Sequence, residues 1–179
     1  MRRTLLVLLA LLLLRAGAVR AAELRDLQPT VADGEVQLSF TLAGALDSAL
    51  MERIESGLPT TFVYEFELLR DRRHWWDDEI ADATLEVVAM YNAVSREYLV
   101  NFKRDGKLVE SRLARSKGEL EAAMTRFERL PLFPVTDLGD ARFLVKARAE
   151  LGSRTLLSFI PVHITTDWAE SRKFRPREP

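Results

Sequence analysis

From Thr60 to Leu69 the chain alternates without a break. Phe62, Tyr64, Phe66 and Leu68 fall on one side, and Val63, Glu65, Glu67 and Leu69 on the other. Successive side chains of a strand point to opposite faces, so this period of two buries one apolar set only if the segment is extended. A helix would scatter the same four large residues around its axis. The second side mixes Val63 and Leu69 with two glutamates, which predicts partial cover at both ends of the strand.

The same period recurs along the chain and sets the fold class. Val36, Leu38, Phe40 and Leu42 alternate with polar residues, and Ala83, Leu85, Val87, Ala89, Tyr91 and Ala93 alternate with Thr84, Glu86, Val88, Met90 and Asn92 in a long strand. Tyr98, Val100 and Phe102 share a face, Leu108 to Leu113 completes a meander, and Ala141, Phe143, Val145, Ala147, Ala149 and Leu151 form a further half-buried strand. Glu23 to Val31 reads as a first extended segment. Asp33-Gly34 and Asp105-Gly106 supply the positive φ that tight hairpin turns need.

Two short helices interrupt the strands. Asp47 caps the first, which Gly57 and Pro59 stop. Ser116 and Glu119 match a capping box for the second, with Leu120, Ala123, Met124 and Phe127 at helical spacing. Leu130 to Pro134 reads as a proline-braced apolar loop ending that helix. Leu156 to Phe174 reads as an irregular stretch followed by an edge strand near Trp168. The expected fold is mainly β: one antiparallel β-sandwich-like domain of about seven strands with two short inserted helices, over residues 22–174, then a flexible tail at 175–179.

The first residues carry an address. Arg2-Arg3 precede an apolar run from Leu5 to Leu14 that contains eight leucines, and small residues follow Arg15 as far as Ala22. This is the layout of a cleaved secretory signal peptide over residues 1–21, with cleavage expected after Ala21 or Ala18. The run is shorter than the roughly 20 residues needed to span a bilayer. The expected location is therefore the periplasm. Removing four arginines and no acid from 26 basic and 27 acidic residues leaves a net charge of −5. An acidic exported domain lacks the basic footprint of a nucleic-acid binder. The absence of cysteine excludes disulfides, thiol catalysis and cysteine-held zinc.

No phosphate loop, zinc-protease helix or nucleophile elbow occurs in the chain. His74 and His163 are the only histidines. His74 with Asp77, Asp78 and Glu79 offers nitrogen and oxygen ligands at local spacing, but Arg70, Arg72 and Arg73 oppose a cation there, and ion pairing within an exposed loop is the better reading. Glu65 and Glu67 share a strand face and read as solvated rather than as a catalytic pair. No cofactor is expected. Trp75-Trp76 leaves two readings open. Both rings cap the sandwich, or one of them stays accessible to a protein partner or a lipid headgroup. The aromatic residues of Phe159 to His163 and Trp168 form a second cluster that would join the first as one patch if the two meet.

Taken in order, Glu55 to Phe62, Arg72 to Asp77, Ser95 to Val100 and Thr166-Asp167-Trp168 resemble the bacterial exported family catalogued as DUF4390, a domain of unknown function. The resemblance spans nearly the whole mature chain. It implies an exported protein with no assigned activity, some of whose relatives are encoded beside membrane sensor kinases of the nitrogen-regulation type. The function expected from all of this is a non-enzymatic periplasmic module that binds another envelope protein. Arg73, His74, Trp75, Trp76, Asp77 and Trp168 are its candidate contact residues. The alternative is a binder of a lipid or other apolar ligand at the membrane surface.

Overall fold

The computed structural model describes residues 21–72, 78–136, 138–156 and 160–176, without the side chains of 153–156 and 160–163. The proposed signal peptide therefore lies outside the described residues, apart from Ala21. The chain order is β1 (Glu23–Ala32), β2 (Glu35–Ala43), α1 (Ser48–Glu55), β3 (Thr60–Arg70), β4 (Asp78–Asn92), β5 (Glu97–Arg104), β6 (Lys107–Ala114), α2 (Lys117–Thr125), β7 (Arg126–Pro134), β8 (Phe143–Leu156), β9 (Ile160–Thr165) and β10 (Ala169–Glu170).

Alternation does what it predicts. Phe62, Tyr64, Phe66 and Leu68 are all 1% exposed or less, and the inward residues of β2, β4, β5 and β8 join them in one core. The strands make two antiparallel sheets. A small one has the order β1-β2-β7, and a larger one runs β10-β8-β3-β4-β5-β6 with β9 paired to β8. The fold is thus mainly β with two short helices. The chain crosses from the small sheet to the large one after β2, returns for β7, and crosses again for β8.

Aromatic rings weld the two sheets. Phe40 of β2 lies 5.4 Å from Tyr64, 5.6 Å from Phe66 and 4.8 Å from Phe127 of β7, while Phe127 also meets Tyr64 at 5.2 Å. These separations fall in the range where edge-to-face and offset rings attract each other beyond simple burial.

The turns and caps follow the sequence. Asp33 and Gly34 adopt φ of 55° and 76°, and Asp105 and Gly106 adopt 48° and 77°. The Leu50 N–H donates to Asp47 Oδ1 at 2.8 Å, and the Glu119 N–H donates to Ser116 Oγ at 3.2 Å. Helix α1 stops at Gly57, whose φ is 81°.

Two stretches differ from expectation. Arg126–Pro134, read as a helix end and a loop, is the edge strand β7, with Leu130 opposite Leu38 and Phe133 opposite Val36. Its alternation is hidden because two register shifts against β2 break the period, one of them at Arg129, whose φ is 50°. The prolines fit because an edge strand has one side free of ladder hydrogen bonds. The stretch from Leu156 onward, read as irregular before Trp168, also contains strand: β8 continues past Leu151 to Leu156 and pairs with β9, with Arg154 opposite Val162. β7 and β9, together with the short β10 after Trp168, bring the described strands to ten.

Two buried phenols make stability depend on alkaline pH. Tyr64 donates its hydroxyl to Met124 O at 2.6 Å, and burial raises its pKa. Tyr98 donates to Glu55 Oε1 at 2.9 Å; desolvation first, then that carboxylate, pushes its pKa up to about 12. A phenol held neutral by the fold stabilises it fully below the unfolded value of about 10, and the contribution disappears as pH rises through the folded value. Stability is therefore expected to fall from about pH 10 upward. Phenolate absorbance should show Tyr98 titrating near 12 and Tyr64 ionising only with unfolding. Ionisation of Tyr64 at the ordinary value in a folded domain would contradict this.

Candidate functional site

The base of the β3–β4 hairpin is the first place to look, because it carries the polar-aromatic segment. The pairs Leu69↔Glu79 and Arg70↔Asp78 close the ladder, so Asp78 and Glu79 belong to a strand and not to an exposed loop. Arg73, His74, Trp75, Trp76 and Asp77 lie outside the described residues, as does the side chain of His163.

The residues flanking that segment are tightly held. The side chain of Asp71 is 7% exposed, with Lys173 Nζ at 2.8 Å from Oδ1. Arg142 Nη2 lies 2.9 Å from Oδ2, without hydrogen-bond alignment, so charge rather than a directed bond secures it. The Asp71 N–H donates to Arg142 O at 2.8 Å. Arg72 Nη2 donates to Asp78 Oδ2 at 2.6 Å across the hairpin. Behind them the Arg70 guanidinium sits 5.8 Å from the centre of the Phe143 ring, and Phe143 exchanges two backbone hydrogen bonds with Phe174.

Trp168 stands on a second scaffold. The segment after β9 is zipped to β8 by two buried hydroxyl residues. Thr166 Oγ1 accepts the Ala149 N–H at 3.0 Å, and Ser171 Oγ accepts the Val145 N–H at 2.9 Å. The Thr166 and Ser171 N–H groups donate in return to the Ala149 and Val145 carbonyls. Hydroxyl residues serve here because they satisfy strand N–H groups in β8 that the two-residue β10 leaves over.

Between those two anchors Trp168 remains 38% exposed. The Arg148 guanidinium lies 4.7 Å from the centre of its ring, a cation–π distance, and Arg148 is itself held by Glu65 through Nε at 2.8 Å and Nη2 at 2.6 Å. Glu65 thus belongs to an ion pair that fixes an arginine under an aromatic ring. Glu67, two residues along, has its pKa raised by partial burial first and by the neighbouring Glu79 second.

The described residues beside the two sequence-predicted clusters lie at different levels of the large sheet. Arg148 pairs with Glu65, whereas the hairpin base pairs Phe143 with Arg70. Five residues of strand separate the two levels, roughly 17 Å. Arg148, Arg142 and Lys173 escaped the sequence reading because their partners lie far along the chain; only the β3–β8 register brings them together.

Among the described residues, no group of three His, Asp or Glu side chains is placed to hold a metal ion. No helix among them is long and apolar enough to cross a membrane. No match was found among curated proteins or among solved structures. The chain does match the family described as Domain of unknown function (DUF4390) over residues 19–169, and it belongs to that family.

Proposed function

We propose that this protein is a non-enzymatic module of the periplasm that binds another envelope protein, with Trp168 as an anchor of the contact surface. The observation that supports this reading is the exposed indole of Trp168, stacked on an arginine that is itself held by Glu65. Tryptophan and arginine dominate the energetics of protein interfaces, and a ring already fixed in place loses little entropy when a partner covers it. Arg73, His74, Trp75, Trp76 and Asp77, which follow Arg72 in the sequence, are the further contact residues of this proposal. The partner class that the family resemblance raises is the outer domain of a membrane sensor kinase.

The test is crosslinking from the native envelope, comparing the wild type with Trp168→Ala and with the double variant Trp75→Ala/Trp76→Ala. Each variant is expected to bind the partner roughly thirtyfold more weakly, the effect of a hot spot worth about 2 kcal/mol, and so to lose most of the crosslinked product, while its unfolding midpoint stays near wild type. Equal recovery of the same partner by all three proteins would sink the proposal.

A further inference from the structure

β6 forms one margin of the large sheet and, among the described strands, pairs only with β5. Seven of its eight residues, Lys107 to Leu113, are exposed. Leu108, Val109 and Leu113 are 62%, 59% and 61% exposed, which places three large apolar side chains on one open edge. Proteins blunt such an edge with charged side chains, proline, bulges or a covering segment, and β6 has charges at Lys107, Glu110 and Arg112. β6 has no proline, and the only interruption in its pairing with β5 is a register shift next to Val109. Below the edge, a groove of about 650 Å³ opens towards α2 and β7.

The order of residues on this edge is self-complementary. Glu110 and Arg112 stand on either side of Ser111, joined within the chain by Arg112 Nε–Oε1 and Nη2–Oε2 contacts of 2.6 and 2.7 Å. Consider a second copy of β6 laid antiparallel, with the twofold axis through Ser111. Glu110 of each chain then falls opposite Arg112 of the other, and Val109 opposite Leu113. No other residue-centred register matches Glu110 with Arg112. A twofold through a residue also satisfies either alternate set of outward N–H and C=O groups, because antiparallel partners alternate between bonded and non-bonded pairs. The edge therefore offers a copy of itself backbone hydrogen bonds, opposite charges and apolar contacts in a single alignment.

We propose that the protein forms an isologous dimer by antiparallel pairing of β6 with β6 about Ser111, which joins the two large sheets into one. The occupant of the edge is a second copy of this chain.

Sedimentation of the purified protein over a range of concentrations tests this, with circular dichroism to confirm folding. The wild type is expected to dimerise. Glu110→Arg and Arg112→Glu, each alone, place like charges opposite one another twice and should sediment as monomers. Mixed together they should form a heterodimer, detected by a tag on one of them. In that pairing the introduced arginine of one chain meets the introduced glutamate of the other, and the retained Arg112 meets the retained Glu110. Repair of the pair within one chain cannot produce that rescue. Leu113→Lys, which leaves the Glu110–Arg112 pair intact, should also be monomeric. A wild type that stays monomeric at every concentration overturns the proposal, whether or not a foreign strand binds the edge. So do single variants that dimerise like the wild type, or a mixture that remains monomeric.

Discussion

Replacing Phe40 by alanine is expected to lower the unfolding free energy by about 3–5 kcal/mol, a large share of what holds a domain of this size folded. Phe40 is 2% exposed, and its ring touches three others drawn from both sheets. The deletion removes the ring's transfer free energy and also leaves a void between Tyr64 and Phe127, which sit on opposite sheets and cannot both collapse into it. Phe127→Ala should cost less, because Phe127 is 8% exposed and borders the groove beside β6, where water or neighbouring side chains can fill the gap. Urea unfolding measures both. A loss under about 1 kcal/mol for Phe40→Ala would mean that the ring cluster does not join the sheets.

Asp71→Ala is expected to release the C-terminal segment of residues 171–176 at a total cost of about 1–2 kcal/mol. The magnitude follows from exposure. Asp71 is nearly buried, but Arg142 and Lys173 are 43% and 52% exposed, so once unpaired both cations regain water. The full penalty of an orphaned buried charge therefore does not apply. The effect should be local, seen as faster hydrogen exchange at the Phe143 and Phe174 amides, whose mutual bonds close the same corner. Protection unchanged at both amides would show that the aromatic contact alone holds the segment.

Most of the fold could be read from the order of residues, because an alternating strand states its own conformation and its buried face. β3 illustrates this: four apolar residues at period two name their side of the sheet before any partner is known. β7 was illegible for the opposite reason. Its register shifts against β2 are properties of a pair of strands, and no single segment displays them. The candidate site divides in the same way. Trp168 could be picked out as an aromatic near an edge strand. Its exposure and its arginine support depend on Thr166 and Ser171 bonding to β8, and on a glutamate 83 positions from Arg148. Asp71 looked like one acid among many in a charged run, and only folding gives it two cations and a place in the core margin.

The placement of β3 between β4 and β8 has a consequence for synthesis. β4 emerges soon after β3, but the 72 residues 71–142 separate β3 from the strand that covers its other edge. At translation speeds of about 5–20 residues per second, that edge waits roughly 4–14 seconds for β8. For that interval one edge of the β3–β4 hairpin offers its unpaired N–H and C=O groups to any other strand, a form suited to chaperone capture, and the large sheet closes around β3 only once β8 has been made.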